Sequence, residues 1–420
     1  MPPGAADEPA RMTAGIAPEA DPAAAGFDPT RLDRLRPWMQ RCVDAGKLPG
    51  ALALVARRGG VAWCGCVGQR DVERGTPWTR DTLIRIYSMT KPVTATALMM
   101  LYEQGLCHLD DPVDLYLPEF AAPTVLRPDA TSVDDVEPAL TRPTLHHLLT
   151  HTSGFTYAFQ DGLLAEAYRR DGVDFSARGA TLAETVARLA RLPLGFEPGA
   201  RWHYSVSTDL IGRIVEVISG RSLDRVLRED IFAPLGMDDT AFAVPEAKLG
   251  RLASLYAKPP EGGMELSEDG PGSRFREGEV SQHSGGGGLV STVDDYLRFA
   301  GMQRGGGALG DVRLLGPRTV ALMASNHLPG DLASMGQKVW AEVSFAGIGF
   351  GLGGWVMLDP ARAQTLGSKG DFGWGGMAST VYWVDPAEEM VVIFLTQLTP
   401  SSSYPIRKEL RALVYSALVD

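Results

Sequence analysis

Hydrophobic positions change their period from one part of the chain to the next. Leu32, Leu35, Trp38, Met39 and Cys42 share one face at helical spacing, which predicts a helix over residues 32–45. Gly50 then opens an apolar run over 51–55. Arg57-Arg58-Gly59-Gly60 reads as a turn and 61–67 returns, the pattern of a β-hairpin. Residues 82–86 form another short apolar run. Over 89–105 the pattern becomes helical through Val93, Ala97, Met100 and Leu101, and Gly105 closes it. Residues 181–192 and 208–219 are the clearest helices of the middle. Strand pattern returns at 378–384 and 390–397 around Asp385-Pro386, and an amphipathic helix is predicted over 405–418. Two Pro- and Asp-rich stretches, 121–143 and 258–279, read as long loops, a class used for binding or left without fixed structure.

Strands thus fall at both ends and helices between them. The expected fold is α+β: a three-layer α/β/α sandwich whose central antiparallel sheet draws on both termini, with a mostly helical domain inserted. A chain of 420 residues exceeds what one hydrophobic core usually serves, so two lobes are expected. Their boundaries are placed at 27–90 with 285–420 for the sheet domain and 91–284 for the helical one. Residues 1–26, rich in Ala, Pro and acidic residues, read as a flexible tail. The site is expected between the lobes.

Composition narrows the function. Apolar content of 45% suits a globular protein, and a formal charge of −11 with both signs interspersed argues against a nucleic-acid partner. No apolar run approaches the ~18 residues of a membrane span, and the N-terminus lacks the basic start and apolar stretch of a secretory signal, so a cytoplasmic protein without a membrane partner is expected. Cys42, Cys64, Cys66 and Cys107 fit no zinc spacing and read as small buried hydrophobes in a reducing compartment; Cys64 and Cys66, two apart on a strand, would share a face.

The chemistry begins at Ser88-Met89-Thr90-Lys91. A strand-like run ends just before it and a helix begins, so Ser88 is expected at a helix N-terminus, where unpaired N–H groups favour developing negative charge. Lys91, three residues on, returns over the Ser88 hydroxyl. Serine needs a base in reach, and a desolvated lysine can be one.

The stretch Ile84-Arg85-Ile86-Tyr87-Ser88-Met89-Thr90-Lys91-Pro92 resembles the serine β-lactamase and penicillin-binding superfamily, and further segments match in order. Leu148-Leu149-Thr150-His151-Thr152-Ser153-Gly154 looks like its Leu-Leu-x-His-x-Ser-Gly segment. Tyr204-Ser205-Val206 stands where class C enzymes carry Tyr-x-Asn. Trp374-Gly375-Gly376 stands where lactamases carry Lys-Thr-Gly, and the glycine-rich stretch from Gly285 also looks like the family. The resemblance spans about residues 27–420. It implies a β-lactamase-like fold and a Ser88, Lys91, Tyr204 catalytic set, with an oxyanion hole formed by the Ser88 and Met377 amides. Trp374, Gly375, Gly376 and Val206 would contact substrate, with Phe155 and Tyr157 as pocket residues; Trp202 and Phe159 are further aromatic candidates. The relatives' amide is Val206 here and their lysine is Trp374, so anion recognition is reduced. Tyr-Ser-x with Trp-Gly-Gly is similar to family VIII carboxylesterases.

The resemblance therefore implies a serine carboxylesterase for small esters, working through an acyl-enzyme without metal or cofactor; short acyl chains are expected because no lid-like apolar helix adjoins the motifs. Weak β-lactam hydrolysis would be a side activity. A β-lactamase or D,D-peptidase, an acyltransferase using the same acyl-enzyme, and a non-catalytic binding relative remain open, as does the oligomeric state. Gly-x-Ser-x-Gly is absent, which counts against an α/β-hydrolase. His151 and His203 read as structural rather than as bases, and His146-His147 fits no metal motif. Gly285–Gly288 and Gly305–Gly307 read as turns because no Lys-Ser/Thr follows. Lys369 is a weak candidate for restoring charge near Trp374.

Overall fold

The computed structural model describes residues 18–420 apart from 177, 337, 338, 341 and 342. Its central sheet is made of β1 (Gly50–Arg57), β2 (Gly60–Asp71), β3 (Thr76–Pro77), β4 (Ile348–Phe350), β5 (Trp355–Met357), β6 (Phe372–Gly375), β7 (Val381–Asp385) and β8 (Met390–Leu395). The spatial order is 4-5-6-7-8-1-2-3, and every neighbouring pair is antiparallel. The join between the chain's two ends is β1 on β8, with Leu52 opposite Leu395 and Val55 opposite Val392.

Period-two alternation in the central strands makes the third layer necessary. Ala51, Ala53, Val55, Trp383, Val392 and Phe394 face one side; Leu52, Leu54, Tyr382, Val384, Val391 and Ile393 face the other. Both faces are apolar, so both must be covered. The first side is covered by α1 (Leu35–Asp44), through Trp38 and Met39, and by the C-terminal helix, through Leu410 and Val414. The second is covered by α2 (Thr90–Glu103) and α4 (Val293–Arg304), with α3 (Ser207–Ser219) packed on α2; the C-terminal helix is α5 (Ile406–Tyr415). Trp38 Nε1 donates to Glu409 Oε2 at 2.7 Å and ties α1 to α5.

Several expectations need adjusting. The helix expected over 32–45 is two pieces, Pro29–Leu32 and Leu35–Asp44. The two long stretches read as loops carry short ladders: Thr124–Leu126 pairs with Val136–Pro138, and Leu255–Ala257 with Glu265–Glu268. Of the tail, residues 1–17 lie outside the described residues, whereas 18–26 dock: Glu19 bridges to Val61, and Ala25 is buried. The lobes do not have separate cores. One apolar cluster runs from Leu52 and Ile393 on the sheet through Val93 and Leu98 to Ile211 and Phe232 in the helical segment. Cys64 and Cys66 both pack against this cluster, and burial pushes the Cys64 thiol up to about 11. No helix among the described residues is long and apolar enough to cross a membrane.

Candidate active site

Residues Ile84–Arg85 pair with Val290–Ser291 and lead the chain into a single 3-10 turn, Tyr87–Met89, which runs straight into α2. Ser88 therefore sits just ahead of the α-helix rather than as its first residue. Tyr87 holds φ at 43°, a left-handed conformation that costs a bulky residue about 1–3 kcal/mol. Packing keeps it there: the Tyr87 ring meets Phe275 edge-on at 6.2 Å. The kink leaves Ser88 half-buried while its neighbours Tyr87 and Met89 are buried.

Three expected residues converge at that point. Ser88 Oγ lies 2.7 Å from the Tyr204 hydroxyl and 3.2 Å from Lys91 Nζ. Lys91 is fully buried and donates to the Gly286 carbonyl at 2.7 Å. Its Nζ stands 4.6 Å from the Tyr204 ring centre and 5.3 Å from that of Tyr157. The Tyr157 phenol is raised well above its ordinary range, first by burial and then by Tyr204 and Asp209, so it remains a neutral hydroxyl at physiological pH.

Asp209 was not anticipated. It lies in the first turn of α3, fully enclosed, and accepts from the Ser284 hydroxyl at 2.6 Å and the Gly286 amide at 3.0 Å. The Gly286 peptide thus bridges Asp209 on its N–H to Lys91 on its C=O. A Cβ on Gly286 would stand 2.4 Å from Asp209 Oδ2, so glycine is required for the approach. Burial raises the Asp209 carboxyl, opposed by Lys91 and by these two hydrogen bonds. The sequence around it, with Gly212 and Arg213 three and four residues on, offers no signal that marks it.

Tyr204 is fixed from behind. His151 Nδ1 accepts from the Ser205 amide at 3.3 Å, and its ring lies 4.9 Å from the Tyr204 ring. Burial, then Lys91, drives the His151 pKa well down, so the ring is neutral. Trp202 stacks on Tyr204 at 6.2 Å from inside the core. Gln160 Nε2 donates to the Tyr204 carbonyl at 3.0 Å. His203 points elsewhere, to Thr156 Oγ1 at 3.0 Å.

The third wall is the end of β6. Trp374 Nε1 is 3.4 Å from the Tyr204 hydroxyl, and the two rings lie 5.5 Å apart. Gly376 presses on the Ser88 turn: a Cβ there would stand 2.5 Å from the Ile86 carbonyl oxygen. Met377 follows and is partly exposed at the rim. Ser88, Tyr157, Tyr204, Val206 and the segment Trp374 to Met377 all line one cavity of about 810 Å³. Phe159 stacks on Tyr157 at 4.7 Å and also lines it.

Three candidates do not reach the cavity, the first being Trp202, which is buried in the core behind Tyr204. Phe155 is a core residue, packed edge-on against Phe120 at 5.9 Å and absent from the cavity wall. Lys369 is exposed and does not line the cavity. Of the two long stretches, 258–279 contributes Arg274, Phe275 and Glu279 to the wall, and 121–143 contributes nothing. His146 Nε2 faces His327 Nδ1 at 3.2 Å, and among the described residues no group of three or more His, Cys, Asp or Glu is placed to hold a metal ion.

Comparison with known proteins places the chain in a family. The family model described as Beta-lactamase matches residues 35–416. Protein Rv1367c of Mycobacterium tuberculosis is 36% identical over 383 residues, covering 89% of this chain and 91% of that one. Esterase EstB of Burkholderia gladioli is 34% identical over 416 residues, covering 94% and 98%. The solved structure of EstCE1, described as a hydrolase with promiscuous acyltransferase activity, superposes with a TM-score of 0.77 at 29% identity, covering 92% of this chain and 99% of its own. The chain belongs to the beta-lactamase family and, within that superfamily, stands with the family VIII esterases.

Proposed function

We propose that the protein is a serine carboxylesterase acting on esters with short acyl groups. The observation that carries this reading is the single point at which Tyr204 and Lys91 both reach Ser88 Oγ, at 2.7 and 3.2 Å. Ser88 attacks the ester carbonyl and its proton passes to the Lys91–Tyr204 pair. The Ser88 and Met377 amides hold the tetrahedral oxyanion; one such donor is typically worth about 3 kcal/mol of barrier. The pair returns the proton to the departing alkoxide. Water then adds to the acyl-enzyme by the same shuttle, releasing the acid and restoring Ser88. This chemistry calls for no metal or redox group.

Esters are favoured over β-lactams because the place of the relatives' lysine holds an indole that offers apolar area and one N–H donor. A cavity of about 810 Å³ exceeds what a short acyl group fills and leaves room for a bulky alcohol. That room, with the acyltransferase activity named for EstCE1, supports a second reading: an alcohol takes water's place and the protein is an acyltransferase. Turnover of p-nitrophenyl acetate, butyrate and palmitate beside nitrocefin, with fluorophosphonate labelling of the wild type and Ser88→Ala, tests the first reading. Labelling on another serine, or an active alanine variant, sinks it. Added alcohols that divert acyl groups from acid to ester product at the expense of hydrolysis favour the second.

A further inference from the structure

Among the described residues the cavity wall carries five basic side chains: Arg178, Arg274, Arg407, Lys408 and Arg411. Arg178 pairs with Glu279 at 2.9 Å, and Arg411 with Asp371 at 2.8 Å. Arg274 is different, because its carboxylate is shared. Glu268 Oε1 accepts from Arg85 Nη2 at 3.1 Å, from the Arg274 amide at 3.0 Å and from the Ser273 hydroxyl. Only Glu268 Oε2 faces the Arg274 side chain, at 3.5 Å from Nε, beyond a good hydrogen bond. One carboxylate therefore answers two guanidiniums. Arg85 is fully buried and spends a further donor on the Ala253 carbonyl at 2.6 Å. The surplus positive charge thus falls on Arg274, whose side chain is 32% exposed and lines the cavity.

Its location connects to the Ser88 turn through Phe275. The Arg274 guanidinium carbon sits 5.5 Å from the Phe275 ring centre, and Phe275 holds Tyr87, the residue before Ser88. An arginine there presents a planar fork suited to a carboxylate. We propose that Arg274 is a specificity-determining subsite for a substrate carboxylate, so that the preferred esters are half-esters bearing a free acid besides the bond that is cleaved. The inference rests on the esterase reading for its chemistry but not for its binding. Hydrolysis adds water across the ester C–O bond and gives a dicarboxylate and an alcohol, with the second carboxylate unchanged.

The test compares p-nitrophenyl hemiglutarate with its methyl ester, in which one methyl group masks the free carboxylate, with release of p-nitrophenol as the readout. The wild type should favour the free acid in kcat/KM. Arg274→Met should lower the acid-to-methyl-ester ratio about tenfold or more, chiefly through KM, and Arg274→Lys should restore part of it. Lys369→Met, which removes a cation outside the cavity, should leave the ratio as it is. The wild-type ratio should also fall on going from 50 mM to 1 M salt, because the site is partly solvated. A ratio indifferent to Arg274→Met, or to salt should that variant not fold, overturns the proposal. Calorimetric binding of glutaric acid monoanilide separates the two readings. Binding lost in Arg274→Met while neither ester turns over sinks the esterase and leaves the subsite. Equal or absent binding in wild type and variant sinks the subsite, whatever the turnover.

Discussion

The Tyr204 hydroxyl lies 2.7 Å from Ser88 Oγ although 116 residues of chain separate them. One side of the contact is a kinked turn leading into α2; the other is the segment leading into α3. The α2–α3 packing sets the distance, so helix placement controls whether the two hydroxyls meet. Lys91 supplies the third corner from within α2.

This triangle should behave as one device. Lys91→Ala and Tyr204→Phe are each expected to lose roughly 10³-fold or more in kcat, and the double variant should be little worse than either single. Steady-state kinetics on p-nitrophenyl butyrate reads this directly. Losses that multiply would mean two independent contributions and no shared base.

Gly376 offers a test of the oxyanion wall without touching the triangle. An alanine Cβ would stand 2.5 Å from the Ile86 carbonyl oxygen and 2.3 Å from Thr380 Oγ1, so the end of β6 must retreat from the Ser88 turn. If the Met377 amide is an oxyanion donor, Gly376→Ala should cut kcat about 10²-fold with a smaller change in KM. A variant of normal kcat would remove Met377 from the mechanism.

Much of this site was legible in advance because it depends on short spacings. Ser88 and Lys91 are three apart at a helix start, and Tyr204 and Trp374 stand in local motifs. Asp209 was not legible, since its role depends on meeting Gly286 across 77 residues. Phe155 adjoins a motif yet points into the core, after a tight turn through Gly154 at φ 92° that a linear reading cannot orient. The sheet was readable where alternation is long, in β1, β2, β7 and β8. It was not readable in β4, β5 and β6, which are three or four residues each, with Gly349, Gly373 and Gly375 interrupting the pattern. The cluster shared by the sheet and the helical segment went unseen because residue count says nothing about how α2 is shared.

Asp295 gives the fold a pH dependence that can be measured. It is buried on α4, its Oδ2 accepting from the Asp239 amide and the Thr240 hydroxyl, each at 2.8 Å. Burial is the main cause that pushes its carboxyl up to about 6, against ~4 in an unfolded chain. The native state then binds the proton more tightly, so this residue's contribution is fullest below about pH 4 and declines as pH rises to about 6. Two units correspond to about 3 kcal/mol at most. Asp295→Asn does not ionise. Its stability relative to wild type should therefore rise by about 1–3 kcal/mol between pH 4.5 and 7.5 in urea titrations, and a pH-independent difference would contradict the assignment.

Trp374 offers a test of the proposed preference for esters over β-lactams. Its indole offers Nε1 to the Tyr204 hydroxyl at 3.4 Å and lies edge-on to Phe350 at 5.3 Å, so it is part of an aromatic wall rather than a loose side chain. Trp374→Lys would remove that surface and place a cation where the relatives keep one. Neutral-ester hydrolysis should fall, because apolar contact and a neighbour of Tyr204 are both lost. Turnover of nitrocefin should hold or improve, since its carboxylate gains a partner, and a lactam with a free carboxylate should gain more than its methyl ester. The gain is limited on two counts: solvent screens a charge at a partly exposed position, and Val206 still offers no amide. The deciding quantity is the ratio of kcat/KM for p-nitrophenyl butyrate to that for nitrocefin. A fall of about tenfold in the variant assigns the preference to Trp374. A ratio that stays level or rises places the discrimination in the rest of the wall, with Arg274 and Phe275 the next residues to change.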